Sequence, residues 1–278
     1  MFETSFTPSE QVKKWLGNVE PLWLSLGQEN VRSLLVSFPF SIERIVINKN
    51  ESFAEINNSL GMKAVRLVLS EAKTAPGIKL TPKDNFNRNF VVKMVDELNW
   101  PIYSREELFK FCKVVNESDV LPLHFYHLVL KSAGLVRKYK GHLVATKKGK
   151  ELYKDNKNAL FGCLYAAIYE QLDISYFDRI PLQGWPSLQI GVVLCCLKMI
   201  KHDWIPEEGL MKQTTIPDKR FWDTPQDYPG FAFYTRILRP LQWFGLLEQR
   251  NVAGDDKIYG KFEFKKSEGF DSIFSFRL

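Results

Sequence analysis

Cysteine is scarce in this sequence, and its scarcity excludes a small scaffold held together by disulfides. Four cysteines occur in 278 residues, and none belongs to a Cys-x-x-Cys pair. A chain of this length buries a core without covalent cross-links. We therefore expect small buried apolar side chains at all four positions, Cys112, Cys163, Cys195 and Cys196.

The sequence also lacks a hydrophobic segment long enough to cross a bilayer. Its most apolar run, Ile190 to Ile200, has 11 residues and contains Lys198, whereas a spanning helix needs about 20 residues. The N-terminus has neither a basic region nor an apolar run of the kind found in signal peptides. These absences predict a soluble, cytoplasmic protein without a membrane partner.

Sequence signatures of common catalytic sites are missing as well. The chain has no Gly-x-Ser-x-Gly elbow, no phosphate-binding Gly-rich loop, no dinucleotide fingerprint and no His-Glu-x-x-His motif. His124 and His127 are spaced for one helix face, but a zinc site needs at least a third ligand, and no spacing supplies one. The sequence therefore predicts a protein that is not an enzyme and that holds neither a metal nor a cofactor.

What the chain does contain is positive charge concentrated in one segment. Nine lysines and arginines but only two acidic residues lie between Lys131 and Lys157, so this segment carries a net charge of +7. The whole chain carries +6, which leaves −1 for everything else. The basic character is thus a local patch, and such patches favour binding to polyanions.

The part of the chain that holds this patch has the element order of a winged helix. Apolar residues at three- and four-residue spacing predict helices from Asp84 to Leu98, from Arg105 to Val115 and from Pro122 to Gly134. The next residues, 135–146, predict two strands joined at Lys140-Gly141. Helices followed by a β-hairpin form a helix-turn-helix with a wing.

The C-terminal part repeats this order less regularly. A predicted helix over Phe231–Phe244, interrupted at Pro240, leads through Gly245 into strands on either side of a turn at Gly254–Asp256. We therefore predict an α+β, mostly α fold. Its parts are a helical N-terminal region (1–75), a winged-helix-like unit with a basic wing (76–157) and a second winged-helix-like unit (158–278).

Two runs, Gly77–Phe86 and Ala133–Gly149, resemble a known family. The first has a Leu-Thr entry before the helices, and the second ends its hairpin in Thr-Lys-Lys-Gly. This pattern is similar to a C-terminal region in a family of bacterial plasmid- and transposon-associated open reading frames, over roughly a quarter of the chain. Asp84 stands where that pattern has glycine, and Phe86 where it has leucine. The resemblance implies a bacterial or mobile-element origin, and it implies no activity and no catalytic residue.

The predicted basic wing is the main candidate site. Lysine and arginine side chains on such a hairpin contact phosphates and supply the salt-dependent part of the affinity. The alternative is a solvated hairpin whose lysines serve solubility. The residues predicted to bind nucleic acid are Lys131, Arg137, Lys138, Lys140, His142, Lys147, Lys148 and Lys150.

Two further groups of side chains are candidates for contact with a partner. His124 and His127 form a stripe on the predicted recognition helix, although base-recognising helices usually present Arg, Asn, Gln or Ser. The alternative is a pair of histidines that are satisfied within the fold. A candidate partner surface lies on an aromatic loop, for which packing within its own unit is the alternative; its residues are Arg220, Phe221, Trp222 and Tyr228.

These patterns lead to a hypothesis and two alternatives. The hypothesis is a non-enzymatic nucleic-acid-binding or regulatory protein whose basic wing contacts phosphate backbones. The first alternative is a protein-interaction scaffold built from winged-helix units, with a homo-oligomer as one form of it. An enzyme of unknown class is the second.

Overall fold

Helices dominate the fold, and the strands form only small antiparallel sheets. The computed structural model describes residues 8–35, 45–48, 53–154, 157–252 and 261–278. The α-helices are α1 (Glu10–Leu16), α2 (Gln28–Leu34), α3 (Ala54–Asn58), α4 (Leu60–Ala72), α5 (Arg88–Leu98), α6 (Arg105–Phe111), α7 (Leu121–Ser132), α8 (Lys147–Lys154), α9 (Lys157–Ala166), α10 (Ile190–Met199), α11 (Glu207–Thr214), α12 (Tyr228–Phe233), α13 (Arg239–Trp243) and α14 (Phe270–Ile273). The strands are β1 (Ile45–Ile47), β2 (Ile78–Lys79), β3 (Val136–Tyr139), β4 (His142–Ala145), β5 (Ile205–Pro206), β6 (Leu247–Asn251), β7 (Phe262–Lys266) and β8 (Phe274–Phe276). The predicted α+β, mostly α class is confirmed.

The chain folds into two compact units. The central unit comprises Lys49–Leu172 and Trp243–Gly245, and the discontinuous unit comprises Met1–Asn48, Asp173–Gln242 and Leu246–Leu278. These bounds differ from the three predicted segments, because α3 and α4 belong with the central unit, as does α9. The buried face of α4, which includes Met62 and Val65, explains why that helix is part of a core and not of a separate N-terminal region.

The central unit places its elements in the order α4, β2, α5, α6, α7, β3, β4 and α8. Its sheet is antiparallel, and β4 lies between β2 and β3. The hairpin turn lies at Lys140-Gly141, as predicted, and both residues have positive φ angles (46° and 76°). Gly134 ends α7 with a φ of 67°, a conformation that favours glycine after a helix.

Two predicted helix bounds in this unit were wrong. The helix α5 begins at Arg88 and not at Asp84, because the side chain of Asn87 caps it by accepting a hydrogen bond of 3.1 Å from the Phe90 amide. Asp84 itself lies in a turn with a φ of 64°. The helix α6 ends at Phe111, since the backbone at Cys112 is extended.

The discontinuous unit follows the same order with α10, β5, α11, α12, β6 and β7, and β7 lies between β5 and β6. The helix predicted over Phe231–Phe244 consists of α12, a π-helical segment at Tyr234–Leu238 and α13. Pro240 has no N–H to donate to the carbonyl one turn earlier, which accounts for wider helical turns there. The predicted turn at Gly254–Asp256 lies outside the described residues.

Each unit has its own core. The core of the central unit contains an aromatic cluster in which Tyr126 and Phe125 contact Trp243. In the discontinuous unit, Trp23 and Leu34 pack with Cys195 and Cys196. Burial raises the pKa of both thiols, as expected for cysteines that serve as small apolar side chains.

None of the helices in the described part of the chain has both the length and the apolarity that crossing a membrane requires.

Candidate nucleic-acid interface

The sheet of the central unit that consists of β2, β4 and β3, called the wing sheet below, has one polar face. Tyr139 is opposite His142 on the neighbouring strand, and His142 is opposite Lys79 of β2, so these three side chains form a row across the sheet. Arg137 lies on the same face two residues before Tyr139. The other face carries the buried side chains of Val136 and Ala145.

A basic groove lies beside this face. It has a volume of about 490 Å³, and four of its lining residues are cationic: Arg137, Lys147, Lys150 and Lys154. The acidic side chain in its lining is Glu151, whose carboxylate is 4.0 Å from the ammonium of Lys147. Four cations against one carboxylate leave an excess positive charge, which is the electrostatic requirement for a phosphate-binding surface.

The Thr-Lys-Lys-Gly run builds one wall of this groove. The hydroxyl of Thr146 accepts a hydrogen bond of 3.1 Å from the Gly149 amide and donates one of 2.8 Å to the Gly134 carbonyl. The ammonium of Lys148 donates to the Ala133 carbonyl at 2.9 Å. These bonds join the first turn of α8 to the end of α7. The motif therefore fixes α8, which lines the groove, against the end of α7. The ammonium of Lys148 serves this internal contact.

Position 149 requires glycine for steric reasons. A Cβ atom there would lie 2.1 Å from the backbone carbonyl oxygen of Leu135. We expect Gly149→Ala to lower the free energy of unfolding by about 1–3 kcal/mol, because α8 must move away from the hairpin. The matched control is Gly230→Ala in α12, where the nearest atom would be at an ordinary 3.7 Å. Chemical denaturation of both variants checks this, and equal stability of the two would contradict it.

The other predicted wing residues differ in their contacts and in their exposure. Lys138 forms an ion pair with Asp84, and its hydrogen bond lowers the pKa of that carboxyl group. Lys140 is at the exposed hairpin tip, and Lys131 is exposed near the end of α7. The Nδ1 atom of His142 is 3.0 Å from the Lys140 carbonyl oxygen.

Two cationic residues at this interface were not among the predicted site residues. Lys154 lines the groove from the last turn of α8. Lys79 reaches the polar face because β2 pairs with β4. The alternation of apolar Ile78, charged Lys79 and apolar Leu80 in the sequence indicated that Lys79 is exposed, but not that its strand pairs with β4.

The two histidines of α7 contact a buried carboxylate. The Nδ1 atoms of His124 and His127 are each 2.9 Å from Glu117 Oε1, and the Phe86 amide donates to Glu117 Oε2. Burial alone would raise the pKa of Glu117, but these hydrogen bonds outweigh it and lower the pKa to about 2. Glu117 is thus ionised at neutral pH and can only accept, so both Nδ1 atoms carry hydrogen.

This arrangement leaves little of α7 accessible. His127 is buried, as are Leu123, Tyr126 and Leu130, while Lys131 is exposed at the end of the helix. A helix that enters the major groove must expose a row of side chains to the bases. The Nδ1 atoms of the histidine stripe are instead directed into the fold, where both rings bond to Glu117.

The aromatic loop of the discontinuous unit is packed largely against its own unit. Phe221 is buried and contacts Trp185, with ring centroids 4.6 Å apart. Arg220 forms an ion pair of 2.7 Å with Asp218. Trp222 remains exposed and Tyr228 is half-buried.

The corresponding hairpin of the discontinuous unit differs from the basic wing in its charge. Arg250 pairs with Glu263 at 2.5 Å, and Lys265 pairs with Glu248 at 3.1 Å. Arg250 and Lys265 are therefore matched by carboxylates on the same two strands. In neither unit do the described residues bring three or more His, Cys, Asp or Glu side chains together as metal ligands.

The region that contains the basic wing is similar to a known family of proteins. Residues 57–158 match the family model described as the Y4jL N-terminal domain. A protein of Sinorhizobium fredii (strain NBRC 101917 / NGR234), named uncharacterized protein y4jL, is 35% identical over 85 residues. That match covers 31% of this chain and 39% of the relative. No solved structure matches the chain.

These matches refine the resemblance seen in the sequence. The chain is similar to an uncharacterised bacterial protein, and the family model that matches describes an N-terminal domain, whereas the sequence resemblance was to a C-terminal region. Neither match carries a winged-helix or mobile-element assignment. Those two expectations therefore remain predictions.

Proposed function

We propose that the central unit is a winged-helix-like module that binds nucleic acid through phosphate contacts. The observation that carries this proposal is the basic groove, where Arg137, Lys147, Lys150 and Lys154 converge with Glu151 as the acidic member. The element order and the position of β4 between β2 and β3 support the winged-helix comparison. Phosphate contacts of this kind are independent of sequence and depend strongly on salt.

The binding mode that these features favour uses the wing and not a recognition helix. Most of α7 is buried, so its side chains are not available to contact base edges. The wing face and the groove, in contrast, carry exposed cations at Arg137, Lys147 and Lys150. We therefore expect a general nucleic-acid binder whose affinity depends little on the nucleotide sequence.

A salt titration tests this function. Arg137, Lys147, Lys150 and Lys154 are replaced together by glutamine, and binding to a labelled random-sequence oligonucleotide is followed by fluorescence anisotropy from about 50 to 200 mM salt. Each lost phosphate contact lowers the slope of log Kobs against log salt by about 0.7–0.9. We expect the slope to fall in magnitude by about 3, with at least a roughly 10-fold loss of affinity at the lowest salt.

The matched control removes four lysines that lie outside the groove and are exposed: Lys14, Lys63, Lys113 and Lys219. It changes the net charge by the same amount, so a general charge effect would weaken both variants equally. We expect the control to keep the wild-type slope. Equal slopes for the wild type and the groove variant would contradict the proposal.

Protein interaction is the second candidate function, and a specific exposed surface favours it. Phe111 at the end of α6 is 85% exposed, and the neighbouring Phe109 is also exposed. Phenylalanine is enriched at protein interfaces relative to the rest of the surface. A complex or homodimer formed there would survive high salt, whereas phosphate contacts would not. Light scattering of the wild type and of Phe111→Ala in about 1 M salt separates these candidates.

A further inference from the structure

We propose that the wing prefers single-stranded nucleic acid and that one unpaired base stacks on the ring of Tyr139. This inference rests on the phosphate-binding function proposed above and names the class of ligand. Proteins that bind single strands combine a basic path for the backbone with aromatic rings on which bases stack. The wing of the central unit has both of these features side by side.

The position of Tyr139 is the first argument. The residue ends β3, and its side chain is 49% exposed on the polar face of the sheet. The guanidinium of Arg137 lies over the ring at 5.1 Å from its centroid, and the ammonium of Lys140 lies over it at 5.4 Å, so both make cation–π contacts. A strand advances about 3.3 Å per residue, so Tyr139 lies about 7 Å along β3 from Arg137, which lines the groove. A phosphate bound at Arg137 thus leaves the adjoining base within reach of the ring.

The second argument concerns what the wing can contact in a duplex. In double-stranded nucleic acid, the faces of the bases are covered by their neighbours in the stack, and a base must leave the stack to meet an aromatic ring. Stacking on the exposed ring of Tyr139 therefore contributes little to the binding of a duplex. In a single strand the base faces are accessible, and stacking adds to the phosphate contacts.

The third argument is that α7 and the second hairpin provide few further contacts that would strengthen binding to a duplex. The helix that would enter a major groove is largely buried, and its two histidines are bonded to Glu117. The hairpin of the discontinuous unit pairs Arg250 and Lys265 with glutamates. Neither feature provides the additional phosphate and base contacts by which a winged helix gains affinity for a duplex.

The test compares three labelled 20-nucleotide probes by anisotropy: a single strand, the duplex of the same sequence, and an abasic strand with the same phosphates. The variants are Tyr139→Ala and Tyr139→Phe, with Phe111→Ala as a control at another exposed aromatic position. We expect the wild type to bind the single strand roughly 10-fold more tightly than the abasic strand. Tyr139→Ala should remove this difference, and Tyr139→Phe and Phe111→Ala should keep it.

The outcomes separate the two proposals. Salt-dependent binding of all three probes with equal affinity, unchanged in Tyr139→Ala, overturns the single-strand inference and leaves phosphate binding intact. A preference for the duplex overturns it as well. Absence of binding to every probe at low salt overturns the phosphate-binding function itself. The wild-type comparison of single and abasic strands decides the question even if Tyr139→Ala fails to fold.

Discussion

Replacing Arg236 with methionine is expected to lower the free energy of unfolding of the discontinuous unit by about 3–5 kcal/mol. The guanidinium of Arg236 is fully buried and forms an ion pair of 2.6 Å with Asp178. It also donates hydrogen bonds to three backbone carbonyls, those of Ile180, Leu182 and Trp185. Methionine fills a similar volume, but it leaves a nearly buried carboxylate and three acceptors without a donor.

A surface ion pair provides the matched control for this prediction. Arg250 pairs with Glu263 in the same unit, but half of its side chain is exposed, and such pairs contribute between about 0 and 1 kcal/mol. Chemical denaturation should therefore show a small loss for Arg250→Met. The double variant Arg236→Met, Asp178→Leu should recover part of the stability, because it removes the unpaired charge. Equal losses for Arg236→Met and Arg250→Met would contradict the prediction.

Replacing Glu117 with glutamine is expected to destabilise the central unit by about 3 kcal/mol at neutral pH and by much less below pH 3. The pKa of Glu117 is lowered from its ordinary value of 4.5 to about 2 in the fold. A carboxyl group with a lowered folded-state pKa adds stability above its unfolded pKa. That stability is lost as the pH falls from about 4.5 to about 2. Glutamine keeps the shape and lacks the charge, so its variant lacks this pH dependence.

The measurement is the difference in unfolding free energy between wild type and Glu117→Gln across this pH range. Taking the difference removes the contribution of the other carboxylates, which titrate in both proteins. The control is Glu151→Gln, since Glu151 is exposed and its ion pair with Lys147 spans 4.0 Å. A constant difference between wild type and Glu117→Gln from pH 5 to pH 2.5 would show that Glu117 is not held as an ionised acceptor.

The parts of the fold that were predicted from sequence depend on local signals. The helix α7 ends where Gly134 adopts a positive φ, and the hairpin turns at Lys140-Gly141, which the sequence marks directly. The start of α5 was misplaced because Asp84, Asn85 and Asn87 are all good capping residues. The choice among them is made by a distant contact, in which Glu117 accepts a hydrogen bond from the Phe86 amide.

The candidate site was predicted only in part, because only some of its residues are close together in the sequence. Arg137, Lys147 and Lys150 lie close together in sequence and in the fold. Lys138 looks equivalent to them in sequence, but Asp84 pairs with it from a distant turn. Lys79 joins the polar face through a strand pairing that spans more than 60 residues. Pairings of this range have no local sequence signal, and they decide which lysines are available to a ligand.

Lysine footprinting tests the central claim most directly, because it locates the bound nucleic acid on the folded protein. An amine-reactive reagent is applied to the free protein and to its complex with a single-stranded oligonucleotide, and modification is quantified by mass spectrometry. We expect several-fold protection of Lys147, Lys150 and Lys154, which line the groove, and unchanged modification of Lys14, Lys63 and Lys219. Protection that is uniform, or that is confined to lysines outside the groove, would contradict the proposed interface.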